Sequence, residues 1–238
     1  PRASRTVPLV SKVCDIRMVP LATEIITSEL TGKPSPVPEL KEKDIPYYGV
    51  KEAAFPFNMF QEVDPVLGPE MRSTGEVLGL SPSYGEAFLK AQEGVGSKLP
   101  MSGKVLISVN RKDKEQIVAV AKKFNDCGFD IVATGNTYDL ITAAGIPAEK
   151  IKKLYEGRPN TLDAITNGEI DLIINSPIGK DSVNDDSYLR KAAIKTKTPY
   201  MTTVAAANAT AEGIAYLKSH AISEIKSLQE LHSEIKDK

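Results

Sequence analysis

Cysteine is scarce in this chain: its 238 residues carry two, Cys14 and Cys127, far apart and without metal-ligand spacing. They read as two free thiols, which excludes a disulfide framework and a cysteine metal site and fits a reducing, cytoplasmic setting. An excess of one charge is also lacking. Lysine and arginine number 30 against 31 for aspartate and glutamate, so no net field draws nucleic acid or an anionic membrane. No apolar run approaches the roughly 20 residues of a membrane span, and no charged-then-apolar leader opens the chain. The two histidines, His220 and His232, fall at the end of one helical pattern and within another. A dipole contact accounts for the first and a surface position for the second. Small molecules and other proteins remain as partners.

Length allows one large or two small domains, with a real core. Pro1 opens the chain in mid-pattern, with neither cap nor leader, and the sequence is expected to be a piece cut from a longer one. Residues 1–97 are proline-rich and irregular, each apolar run being interrupted before a helix of ordinary length can form. Helices are expected at about 15–31 and 83–94, with a strand in "VKEAAFPF", residues 50–57. "GVGSKLPMSGK" reads as a linker. From 98 to 238 strands and helices alternate. Strands are expected at 104–110, 129–134, 151–155, 171–175 and 199–203, and helices at 112–128, 137–145, 160–168, 186–197 and 206–220. Ile225, Leu228 and Leu231 in the tail suggest a terminal helix packed by one face. The alternation implies an α/β fold: a five-stranded parallel sheet flanked by helices. In such sheets ligands bind beyond the carboxyl ends of the strands.

"DIVATGNTYDLITAAGI" hands a strand to a helix through Thr134, Gly135 and Thr137. Free N–H groups at the positive end of a helix dipole suit a phosphate, although ordinary βα connections look the same. Other strand ends supply Ser108, Lys153, Asn175, Thr202 and Thr203, and Lys114 opposes the dipole at the start of its helix unless an anion relieves it. Two lysines, two threonines and an asparagine at one sheet edge form a plausible cradle for a phosphate and its sugar. No histidine, cysteine or carboxylate pair joins them; Asp139 and Glu156 are the nearest acids. Binding without chemistry is the favoured reading.

Three runs carry a resemblance: "PRASRTVPLVSK", "VKEAAFPFNMFQEVDPVLGPEMRSTGEVLG" and "YEGRPNTLDAITNGEIDLIINSP". In that order they resemble the carboxyl-terminal portion of the carbamoyl-phosphate synthetase large subunit, over essentially the whole chain. The resemblance implies that residues 1–97 are an irregular α+β remnant of the second ATP-grasp domain, and that residues 98–238 are a methylglyoxal-synthase-like allosteric domain. It implies ATP with Mg2+ or Mn2+ as cofactors of the intact enzyme, none in the fragment, and a small glutaminase subunit, the rest of the large subunit and further copies as partners. Arg2 and Arg5 match arginines that face phosphate oxygens in the intact enzyme. Lys114, Thr134, Thr137, Lys153 and Asn175 match the nucleotide effector pocket, for UMP first and IMP second. Pro177 stands where a threonine is expected, and Lys180 is the one cation kept in the following loop. Glu52, Tyr200 and Thr202 match an ornithine site whose other two acids belong to the missing part, so the fragment is expected to bind ornithine poorly, if at all.

A methylglyoxal synthase would share the fold, but the place of its catalytic aspartate falls near Arg158, with Asp163 too far into the helix. The cyclohydrolase domain of purine synthesis would need a lysine-threonine-leucine-histidine run where "NTLDA" stands. A pure assembly domain, with an empty sheet edge, is the third alternative.

Overall fold

The computed structural model describes residues 6–37, 40–59, 70–176, 183–220 and 224–237. Arg2, Arg5, Pro177 and Lys180 lie outside the described residues. The chain opens with two helices, α1 (Thr6–Cys14) and α2 (Met18–Thr31). The helix expected over 15–31 is α2, whereas α1 had no sequence expectation; the two are separated at Asp15, whose φ of 49° leaves the helical region. Next come the two-residue β1 (Lys43–Asp44), then β2 (Tyr48–Ala54), β3 (Gly75–Ser81) and α3 (Tyr84–Gly94). Strands β2 and β3 pair antiparallel over seven residues each, from Tyr48 opposite Ser81 to Ala54 opposite Gly75. The strand expected over 50–57 starts earlier and yields at Pro56 to a short 3-10 turn. Its partner β3 had no sequence expectation.

The remainder alternates as expected: β4 (Gly103–Val109), α4 (Lys114–Asp126), β5 (Phe129–Thr134), α5 (Gly135–Ala143), β6 (Glu149–Ile151), α6 (Thr161–Thr166), β7 (Leu172–Ser176), α7 (Val183–Thr196), β8 (Tyr200–Met201) and α8 (Val204–Ser219). The sheet is five-stranded, ordered β6-β5-β4-β7-β8, and every pairing is parallel. Each sheet face buries an apolar layer because strand side chains alternate. Val105 and Ile107 of β4 face α4, α5 and α8 through Ile117, Phe124, Ile141 and Ile214. Leu106 between them faces α6 and α7 through Ile165 and Leu189. Helix α4 fits because Ile117, Val120, Ala121 and Phe124 recur at helical spacing and are all buried, with Gly128 at φ +81° just beyond its end.

Three elements differ from expectation. The third strand ends at Ile151, so Lys153 is not within it but precedes a 3-10 turn over Leu154–Glu156. The fifth strand is two residues long, because Pro199 lacks an N–H for the ladder and Thr203 turns to cap α8. The tail forms only a short α9 (Leu228–Ser233) and then β9 (Lys236–Asp237), which pairs with β1. Ile225 is 95% exposed, whereas Leu231 is buried. His232 is not a free surface residue: Nε2 lies 2.6 Å from the Lys12 carbonyl and Nδ1 lies 3.3 Å from Asp15.

Helices α3 and α8 join the two parts through glycines. A Cβ on Gly213 would sit 2.8 Å from the Gly85 carbonyl oxygen and 2.7 Å from Leu89, so only glycine lets the backbones approach this closely.

Candidate functional site at the carboxyl edge of the sheet

Connections leave β4 and β7 toward opposite sides of the sheet, which makes their carboxyl ends the topological switch point. Three polar residues lie in register there. Ser108 stands opposite Asn175, and Thr134 follows the pairing of Ile107 with Ala133. Thr134 Oγ1 donates to Ser108 Oγ at 2.9 Å. By the two-residue alternation these side chains share the face of Leu106, Val132 and Ile173, covered by α6 and α7. Thr134 and Asn175 are buried, at 2% and 4% exposure.

Thr134 is also the N-cap of α5, with extended backbone at φ −95° and ψ 140°, but its hydroxyl makes no capping bond. That hydroxyl is turned toward Ser108 and not toward the helix, and the first N–H groups of α5 have no side-chain cap at the positive end of the dipole. Gly135 at φ +42° makes the turn possible. Thr137 lies in this first turn and is 3% exposed. Lys114 is the first residue of α4, as expected, and Lys153 precedes α6 with its ammonium 5.9 Å from the centre of the Tyr155 ring. All five expected nucleotide residues therefore lie on elements that begin or end at one edge. Thr134, Asn175 and Lys153 belong to the α6–α7 side, and Lys114 and Thr137 to helices on the other.

Neighbouring residues of the edge were not expected. Asn110 caps the turn before α4, its Oδ1 accepting from the N–H groups of Lys112 and Asp113, and its Nδ2 donates to Ser176 at 3.1 Å. That contact ties β4 to β7 at the switch point. Asn175 Nδ2 donates to Asp186 Oδ1 at 2.8 Å and to the Tyr200 oxygen at 2.6 Å. Asp186 is 6% exposed and lies on the stripe of α7 that buries Leu189 and Ala193. An acid at positions i, i+3 and i+7 with two apolar residues is a signal the sequence contained.

Tyr200 leads to a second place. With Glu52, Thr202, Phe55, Phe57 and Arg190 it lines a cavity of about 640 Å³, open to solvent, between β2 and the α7–β8 connection. The three residues expected for an amino-acid site thus meet in one cavity. Glu52 Oε2 accepts from Gln92 at 2.9 Å, and burial raises its pKa against that bond's lowering effect. Burial also pushes the Tyr200 phenol up to about 12, so it stays protonated. Phe55 and Phe57 stack at 5.2 Å. A carboxylate and a guanidinium on one apolar-backed cavity match the two ends of a zwitterion.

The two acids named from sequence, Asp139 and Glu156, and Asp163 beside them are engaged in structure. Asp139 pairs with Lys150 at 3.4 Å, and Glu156 accepts from the Lys153 N–H at 2.8 Å. Asp163 accepts from the Asn160 N–H at 3.0 Å to cap α6 and pairs with Arg158 at 3.0 Å. Among the described residues no group of three His, Cys, Asp or Glu could hold a metal, and no helix is long and apolar enough to cross a membrane.

A parallel five-stranded sheet with this edge is the mark of a known class: residues 116–202 match the family model of the MGS-like domain. Over nearly its whole length the chain is similar to carbamoyl phosphate synthase large chains. That of Gemmatimonas aurantiaca is 44% identical over 98% of this chain and 21% of its own length. That of Acidobacterium capsulatum is 46% identical over 98% of this chain and 22% of its own. A protein of Methanopyrus kandleri described as the C-terminal section of the large chain is 42% identical over 98% of this chain and 43% of its own length. The chain belongs to this family as its carboxyl-terminal, MGS-like part, spanning about a fifth of the two full-length relatives. A methylglyoxal synthase crystal structure from Elizabethkingia anophelis aligns with 46% of this chain and 77% of that one, at 18% identity and a TM-score of 0.39.

Proposed function

We propose that the chain is the regulatory carboxyl-terminal part of a glutamine-dependent carbamoyl phosphate synthase. A nucleotide binds at the carboxyl edge of the sheet, UMP before IMP, with its phosphate at the α5 N-terminus near Thr134 and Thr137 and with Lys114 and Lys153 as countercharges. In the intact protein ornithine binds in the cavity of Glu52, Tyr200 and Thr202, its ammonium toward Glu52, and this chain alone, without the site's other two acids, binds it weakly. The intact protein makes carbamoyl phosphate for the pyrimidine and arginine pathways, in the cytoplasm, with a small glutaminase subunit. Its ATP and Mg2+ or Mn2+ belong to the part beyond this chain, so the fragment alone is inactive. Assembly through the MGS-like domain is compatible with effector binding.

The observation that carries this reading is the convergence of buried Thr134, Thr137 and Asn175 on one edge, beside a helix start without a side-chain cap. Asp139, Glu156 and Asp163 each have a structural partner, which favours binding over catalysis. The remainder of the large subunit is assigned to the apolar face of α2, where Val19, Ile26 and Leu30 are 64%, 58% and 79% exposed.

Calorimetric titration with UMP, IMP and inorganic phosphate tests the reading. A nucleotide is expected to bind, and Lys153→Ala to weaken it by roughly tenfold or more, the scale of one charge-assisted hydrogen bond. Absence of binding at millimolar ligand would remove the effector reading and leave assembly.

A further inference from the structure

Asn175 stands at the edge as an expected ligand residue, and an amide there could either donate to a phosphate or accept from something else. Its surroundings decide between the two. An amide nitrogen carries two hydrogens. One goes to Asp186 Oδ1 at 2.8 Å and the other to the Tyr200 oxygen at 2.6 Å, so no N–H remains for a ligand. The reverse orientation would set the amide carbonyl against the Asp186 carboxylate, two acceptors with no proton between them. Asn175 Oδ1 makes no hydrogen bond among the described residues.

Asp186 itself has a feature that fold stability does not account for. The side chain is 6% exposed, and its Oδ2 is buried without a hydrogen-bond partner. Leaving a buried acceptor unpaired is costly, and an apolar residue would suit the stripe shared with Leu189 and Ala193. What the carboxylate does supply is a fixed acceptor that turns the Asn175 amide.

Thr134 and Asn175 lie on strands separated by β4, which at about 4.8 Å per strand spacing puts their backbones roughly 10 Å apart. A bare phosphate at the α5 N-terminus does not reach across that span. A sugar attached to it does, and its hydroxyls are donors.

We infer that Asp186 is a specificity-determining positioning residue: it holds Asn175 so that the amide carbonyl faces the ligand and selects a phosphate ester carrying sugar hydroxyls. Asn175 is then the member of the expected phosphate-and-sugar cradle that takes the sugar, as an acceptor for the ribose. This rests on the nucleotide reading proposed above.

The experiment is calorimetric titration of the chain with UMP, its 2′,3′-dideoxy analogue and inorganic phosphate, in wild type, Asp186→Leu and Asp186→Asn. Wild type is expected to bind UMP about tenfold or more tightly than the dideoxy analogue, the worth of one well-made hydrogen bond to the sugar. In Asp186→Leu that ratio falls toward one while phosphate affinity stays within about twofold. Asp186→Asn, which keeps an acceptor for the Asn175 amide, retains most of the discrimination. Equal binding of UMP and the dideoxy analogue by wild type overturns the inference while leaving nucleotide binding intact, and so does an unchanged ratio in Asp186→Leu. Failure of wild type to bind any nucleotide overturns the effector reading and this one with it. Should Asp186→Leu not fold, the wild-type comparison of the two ligands and the Asp186→Asn ratio still decide.

Discussion

Glu52 sits on a strand whose register with β3 holds it beside Gln92, and burial raises its pKa above the ordinary 4.5. An acid whose folded value is raised favours the fold in its protonated form. That contribution is present below the ordinary value and is lost as pH rises through the raised one. Glu52→Gln should therefore melt higher than wild type near neutrality, with the gain vanishing below about pH 4, as read by thermal denaturation across pH. An ammonium ligand draws the same group back toward its charged form, so ornithine binding just above the ordinary value should release a proton, seen as a buffer-dependent heat. Glu52→Gln should lower that affinity by about tenfold or more. Tyr200 gives a separate readout. With its phenol pushed up to about 12, one tyrosine should lag the others in an absorbance titration, and Tyr200→Phe should remove the lagging phase. The edge positions of Thr134 and Asn175 were legible at this scale, because polar side chains at strand ends in an alternating pattern have few places to go but the carboxyl edge. Asp186 was not singled out, since an acid at the start of a helix ordinarily reads as a favourable dipole partner.

Elements were predictable to the extent that their own periodicity encodes them. Helix α4 and strand β5 agree with the sequence reading because a full apolar stripe and a continuous buried run each admit one interpretation. Strand β3 was missed because "GEVLGLS" alternates weakly and takes its identity from pairing with β2. Its close approach to α3 depends on Gly79, where a Cβ would lie 2.0 Å from the Ala87 carbonyl oxygen. The crossing of α3 and α8 depends on Gly85 and Gly213 in the same way. Gly213→Ala should destabilise by about 1–3 kcal/mol, as overpacked contacts do, measured as a lower denaturant midpoint. Asn160→Ala removes acceptance from the N–H groups of Leu162 and Asp163 at the start of α6, and should cost roughly 1 kcal/mol.

At the scale of the whole molecule, the tail returns to the beginning of the chain. Strand β9 pairs with β1, His232 reaches Lys12 and Asp15, and Asp15 also meets Lys43. Deleting residues 228–238 should speed proteolysis across residues 6–44 and raise amide exchange there, while exchange in β4, β5 and β7 stays unchanged. Loss of protection throughout the parallel sheet would show instead that the tail supports the entire fold. The sequence by itself determined the parallel α/β domain, the order of its elements and the edge where polar residues gather, because hydrophobic periodicity and strand-end position are local properties. Tertiary structure alone decided the strand pair β2–β3, the clasp of the tail and the shape of the cavity where Glu52, Tyr200 and Thr202, grouped beforehand only by resemblance, meet. It also decided which way the Asn175 amide points, because hydrogen bonds between residues 11 and 25 positions apart depend on where the chain returns and not on what precedes it.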